Sequence, residues 1–203
     1  MCIAERQARR HRPRAEHGIS LIELIVFIVI VGIAVAGVVG ALSMATRASA
    51  DPMIQKQALA IAEALLEEVQ LQPFTYCDPD DLNAASAQSA ADCTGGAGGV
   101  NDENRLPLGP EAGEGRYSAT TPYDNVSDYN TFSMTGIMDL TGAAIIPGLE
   151  NYVASVTVVN QALGAIPATD SLLITVTVDG PLGTNTRVVL DGYRVRYAPN
   201  ALP

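Results

Sequence analysis

The sequence predicts an α+β protein in which a long amino-terminal helix, membrane-spanning in its first half, packs on a carboxy-terminal antiparallel sheet, with a cysteine-closed loop between them. Three observations predict it. From Leu24 to Ala45 no charged residue interrupts an apolar run, and about 20 such residues cross a bilayer as a helix. Ile54, Ala58, Ile61, Leu65 and Val69 then recur at steps of three and four, the period of a helix with one apolar face. Near the carboxy terminus, Leu172, Ile174, Val176 and Val178 alternate with Leu173, Thr175, Thr177 and Asp179, the period of a strand with two unlike faces.

The chain opens with a basic segment. Of its 12 lysines and arginines, Arg6, Arg9, Arg10, Arg12 and Arg14 lie in the first eighteen residues, against Glu5 and Glu16. The remainder holds seven basic and twenty acidic residues, a net charge of −13. That balance repels phosphate backbones, so nucleic acid is not an expected partner. Arginines before the apolar run and acids after it orient the span, with the leader cytoplasmic and the larger domain exported. Both histidines, His11 and His17, sit in the leader. A chain trimmed after Gly18 carries none, which removes histidine bases, Ser-His-Asp or Cys-His nucleophiles and histidine-ligated zinc.

Glu23 stands at the edge of the apolar run, four residues after Ile19. A carboxylate there is costly, about 2.5 to 3.5 kcal/mol at mid-span and less near an end, and calls for a partner. Cleavage after Gly18 supplies one: the new α-amine of Ile19 lies one helical turn from Glu23, and a helix start itself favours negative charge. In an isolated chain the carboxylate snorkels to the interface instead. Gly32, Ala36 and Gly40 recur every four residues, either a stripe that lets helices approach closely or ordinary glycine enrichment of membrane helices. A cleaved secretory signal is the competing reading, because Ala48-Ser49-Ala50 precedes Asp51 as a small-x-small site. The apolar run exceeds the 7 to 15 or so residues of a signal core, and the helical pattern continues past that cut.

The stretch GISLIELIVFIVIVGIAVAG resembles the type IV prepilin signature: a glycine, a cleavage point, a hydrophobic first mature residue and a glutamate fifth. The resemblance implies cleavage after Gly18 by a prepilin peptidase that also methylates the new terminus at Ile19, a Glu23 contact to a neighbouring subunit's α-amine, and assembly of pilin subunits through an inner-membrane platform. It implies the pilin architecture for the helix and sheet, an inner-membrane precursor with a periplasmic domain, and a final place in an extracellular filament. Ile19 in place of phenylalanine, and Gly40 where a helix-kinking proline often stands, depart from the pattern of major pilins and suit a minor pilin or a type II secretion pseudopilin. The segments LLEEVQLQPFTYCDPDD and YRVRYAPN, with the short acidic loop, resemble D-type minor pilins of the mannose-sensitive haemagglutinin (MSHA) pilus. The function implied is structural, in attachment, and not enzymatic.

The resulting organisation is a leader over 1–18, a membrane or filament-core helix over 19–45, an amphipathic helix over 46–72 ended by Pro73, and a loop region with a sheet over 73–203. Run from 19 to 72 the helix spans about 80 Å. Lys56, Glu63, Glu67 and Gln70 are expected on its solvent side. Within the loop region, Cys77 and Cys93 form one disulfide in an oxidising compartment or stay as two thiols elsewhere. Asp78, Asp80 and Asp81 are weak calcium candidates without EF-hand spacing, and an acidic run beside Pro79 also reads as a solvated turn. No other cofactor is expected. Gly95-Gly96-Ala97-Gly98-Gly99 reads as a flexible link, and Asn125-Val126-Ser127 matches a glycosylation triplet with no role assigned. Strands are expected over 129–135, 152–160, 172–179, 187–190 and 193–197, with turns at Asp179–Gly183 and Asp191-Gly192. Two rival classes remain: a soluble extracellular binding domain released after Ala50, and a membrane-anchored hydrolase using carboxylates between Asp78 and Glu103.

Overall fold

A computed structural model of the chain describes residues 20–201. They divide into two compact units, one reaching Ala48 and the other starting at Ser49. Helix α1, Leu21–Leu71, supplies the first unit and the opening of the second. It stays helical through Arg47–Pro52, although a proline inside a helix forfeits one hydrogen bond and costs about 3 kcal/mol. In the first unit, Leu21–Met44 is a 24-residue stretch long and apolar enough to cross a membrane, with all its side chains exposed in the single chain.

In the second unit, one four-stranded antiparallel sheet lies among the described residues, a meander of β1 (Ser133–Thr135), β2 (Val153–Asn160), β3 (Ser171–Gly180) and β4 (Gly183–Val195) in that order. Ala154, Val156 and Val158 of β2 and Leu172, Ile174, Val176 and Val178 of β3 share one buried face. The period-two pattern requires this, since successive side chains point to opposite faces. Ala58, Ala62, Leu65 and Val69 of α1 join them in one core, which Phe74, Val126, Tyr129 and Tyr152 extend. This is the type IV pilin-like α+β fold.

Three details differ from the sequence reading. The expected strands over 187–190 and 193–197 are one strand: Asp191 and Gly192 pair with Thr175 and Ile174 in unbroken register, and the Thr175 hydroxyl donates to Asp191 Oδ1 at 2.6 Å. Gly192 is a contact glycine, where a Cβ would strike the Leu66 and Gln70 side chains. Gln70, expected on the solvent side, is accordingly half-buried, whereas Lys56, Glu63 and Glu67 are exposed. The strand expected over 129–135 shrinks to β1, because Ser127–Tyr129 forms a 3₁₀ turn and Thr131 takes φ +67°. Asn130 substitutes for the lost backbone pairing, its Oδ1 accepting from Val158 N–H at 3.0 Å and its Nδ2 donating to Leu108 O at 2.7 Å.

Candidate assembly segment and buried carboxylate cluster

The amino-terminal site begins with a cap. The Ser20 hydroxyl accepts from Glu23 N–H at 3.3 Å, and Ser20 O takes the first helical bond, from Leu24 N–H at 3.1 Å. Satisfying a donor that the helix itself leaves unpaired starts α1 at Leu21. Glu23 thereby sits in the first turn, where helix dipole and carboxylate attract. Ser20 was legible as the first member of a Ser-x-x-Glu capping pattern, yet the apolar run draws attention away from it. Gly18 and Ile19 lie outside the described residues. Gly32, Ala36 and Gly40 are exposed along the helix, and a Cβ placed on either glycine meets nothing within 4 Å.

The second candidate is assembled in the loop region of the larger unit. Cys77 and Cys93 form a disulfide with Cα atoms 5.4 Å apart. Cys77 also lies on an isolated antiparallel bridge to Asp102, made by Asp78 N–H to Asn101 O and Glu103 N–H to Tyr76 O, each 3.1 Å. On the other flank, Val126 N–H reaches Pro73 O at 3.1 Å, and Asn125 Nδ2 donates to Thr75 Oγ1 at 2.6 Å. These pairings draw Asp78, Glu103 and Asp128 together from segments far apart in the chain. Glu103, Glu111 and Asp128 bring carboxylate oxygens within 4.8 Å of one another, as do Asp78, Glu111 and Glu114, and Asp78, Asp80 and Asp124.

Burial and mutual repulsion raise the affinity of this cluster for protons. Burial first, then the neighbouring Asp128 and Glu111, hold Glu103 well above the usual carboxylate range. Burial, then a hydrogen bond and charge repulsion from Glu114, push Glu111 up to about 8. Asp124 rises to about 7 through burial and the charges of Asp78 and Glu114. Asp128 also rises to about 7, mainly through burial, although N–H groups of Asn125 and Asp124 oppose the shift. Burial raises Asp78 as well.

Of the three calcium candidates read from the sequence, Asp78 belongs to this cluster and Asp80 reaches its exposed edge. Asp81 does not. Its Oδ1 accepts from Asn83 N–H at 2.7 Å, and its Oδ2 from Thr94 N–H at 2.8 Å and Asn101 Nδ2 at 2.9 Å. It therefore organises the disulfide loop. Spacing along the chain does not reveal Glu103, Glu111, Glu114, Asp124 and Asp128 as neighbours, because the non-local pairings bring them together. The glycine run is an ordered turn, with Gly95, Gly96 and Gly98 at positive φ and Gly98 N–H donating to Asp102 Oδ2 at 2.8 Å. Asn125 of the glycosylation triplet is fully buried.

Elsewhere in this unit, Glu68 of α1 ties down the segment before β1. Arg116 Nε and Nη2 reach its two oxygens at 2.6 and 2.5 Å, and the Tyr129 hydroxyl donates to Oε1 at 2.8 Å. Burial pushes the Glu68 carboxyl up, but the Arg116 and Tyr129 bonds outweigh it and leave it below its ordinary value. Arg116→Ala is expected to cost about 2 to 3 kcal/mol, since it strands a partly buried carboxylate. The midpoint of urea unfolding reads this loss. Arg116→Lys should recover less than half of it, because an ammonium cannot bridge both oxygens as a guanidinium does.

The prokaryotic N-terminal methylation motif matches residues 13–39 of the chain. The match covers the end of the basic leader, Gly18, Ile19, the Ser20 cap, Glu23 and most of the apolar stretch of α1. It supports a type IV pilin or pseudopilin, a class of protein that is generally structural, is processed by prepilin peptidase and associates with other pilin subunits. Together with the apolar helix, it is consistent with membrane anchoring as a precursor. No curated protein and no solved structure matches the chain.

Proposed function

We propose that the chain is a minor pilin of an MSHA-like type IV pilus, a structural subunit that joins a surface filament used in attachment. The carrying observation is the methylation motif over residues 13–39 laid on a helix whose apolar stretch, Leu21–Met44, leaves every side chain exposed in the isolated chain. An uncovered surface of that kind needs lipid before assembly and neighbouring helices after it.

In this reading residues 1–18 are the leader, removed by prepilin peptidase after Gly18, and Ile19 becomes the N-methylated terminus. The 19–45 segment anchors the precursor in the inner membrane with the carboxy-terminal unit periplasmic, then enters the filament core. Residues 46–72 belong to the exported domain and 73–203 form its loops and sheet. Glu23 meets the α-amine of a neighbouring subunit, which satisfies both charges in an apolar core. Gly32, Ala36 and Gly40 provide the close-approach face. Head-to-tail contacts of this type do not close, and so propagate a filament.

The test is the mature terminus of protein recovered from membranes or sheared filaments of the native host. Mass spectrometry should find Ile19 first, bearing one added methyl group. A terminus at Asp51 would instead mean removal of the whole apolar helix by signal peptidase, and would defeat the filament reading.

A further inference from the structure

We propose that the buried carboxylate cluster is a calcium site, centred on Glu103, Glu111 and Asp128 and completed by Asp78 and Glu114. Acidic residues gather on protein surfaces without any ion, so their number is not the argument. The argument is the state of two of them. Glu103 and Asp128 are 3% and 0% exposed, and each keeps one oxygen without a hydrogen-bond partner, Glu103 Oε1 and Asp128 Oδ1.

The other oxygen of each is held by the protein. The Ser127 hydroxyl donates to Glu103 Oε2, and the N–H groups of Asp124 and Asn125 donate to Asp128 Oδ2 at 3.0 and 2.8 Å. The fold thus orients two buried carboxylates and leaves an oxygen of each uncompensated, an arrangement that is costly unless a cation meets it. Glu111 and Glu114, both half-buried, stand in a turn closed by Glu111 N–H to Glu114 Oε2 at 2.9 Å, and give the cluster its more open side.

The donor set selects the ion. All five ligands are carboxylates, drawn from several separate loop segments, and calcium accepts six to eight oxygens in irregular geometry. Magnesium demands a near-ideal octahedron and keeps most of its water. Zinc prefers nitrogen and sulfur, whereas Cys77 and Cys93 are oxidised to a disulfide and both histidines lie in the leader. Protons are the competing occupants, which the raised affinities of Glu103, Glu111 and Asp128 express.

The experiment uses the full-length chain in detergent, stripped with EDTA and dialysed near neutral pH. It is melted without divalent ions, with about 1 mM Ca²⁺ and with about 1 mM Mg²⁺, and titrated with Ca²⁺ by calorimetry. Calcium should raise the melting midpoint by roughly 3 to 6 °C and bind at one ion per chain, with magnesium giving less than about a third of that shift. Glu103→Gln combined with Asp128→Asn should abolish the calcium shift. Metal-free, the double variant should melt no lower than the wild-type protein, because it removes buried like charge. Should that pair fail to fold, Glu111→Gln at the more open side serves the same purpose and should weaken binding at least tenfold. No calcium shift in the wild-type protein, an equal shift with magnesium, or an undiminished shift in a folded variant overturns the proposal.

Discussion

Replacing both bridge cysteines, Cys77→Ser with Cys93→Ser, is expected to make opening of the segment between residues 78 and 103 easier by about 3 kcal/mol. The bridge spans a sequence separation of 16, and in the chain-entropy model a loop of that size confines the unfolded chain by about this amount. The loss should be local. Cys77, Ala84, Ala87 and Cys93, with Tyr76 against them, form a cluster separate from the main core, and alanines bring little apolar area. Polar ties supplement them, among them the three hydrogen bonds to Asp81, and Asn200 Nδ2 donating to Ala84 O and Ala87 O at 2.9 and 2.8 Å. Hydrogen exchange followed by mass spectrometry should show protection falling about a hundredfold across 78–103, while β2 and β3 change little. A uniform fall across the sheet would mean that loop and core open as one unit.

The second large effect is a loss of stability as pH rises, measured with chelator present. Asp124 and Asp128 at about 7 and Glu111 at about 8, with Glu103 and Asp78 also raised, all bind protons more tightly folded than unfolded, where carboxylates titrate near 4. The folded state therefore holds more protons between about pH 4 and pH 8. Stability from these groups is fully present below about pH 4 and is lost as pH climbs through their folded values. Glu68, Asp81 and Asp179 act oppositely, being depressed by their partners, and withdraw their support only as pH falls toward 4 and below. The optimum should lie near pH 4, where the two opposing sets cross, with the melting midpoint roughly 5 to 10 °C lower at pH 8. A flat profile from pH 5 to 8 would show that water reaches the cluster and relieves the repulsion. If calcium occupies the cluster, adding it at pH 8 should return much of the lost stability.

These two effects trace back to features of unequal legibility. The bridge is visible as two cysteines left over once the leader is set aside, and an oxidised pair is what an exported chain makes of them. The carboxylate cluster is not visible in that way. Asp78, Asp80 and Asp81 stand close together in the chain, yet Asp81 turns its oxygens to the loop backbone and Asn101. Glu103, Glu111, Glu114 and Asp128 lie 25 to 50 residues from Asp78 in the chain, and meet it through the pairing of Cys77 with Asp102 and of Pro73 with Val126. Asp191-Gly192 is the converse case. A dipeptide that favours a turn lies inside β4, because ladder pairing with β3 and the approach of α1 outweigh a local preference of about 1 kcal/mol.

Period and transfer energy alone specify an apolar stretch of membrane length, an amphipathic helix after it, the inward face of β3, and a glutamate at the start of the apolar run. Such properties belong to a segment and its solvent, so they survive without knowledge of what the segment touches. Which acids converge, which glycine admits α1, that Gln70 turns inward and that Asn130 takes over a strand's hydrogen bonds are outcomes of the folded packing. Those outcomes rest on contacts between residues distant in the chain, whose energies depend on geometry that no local pattern records.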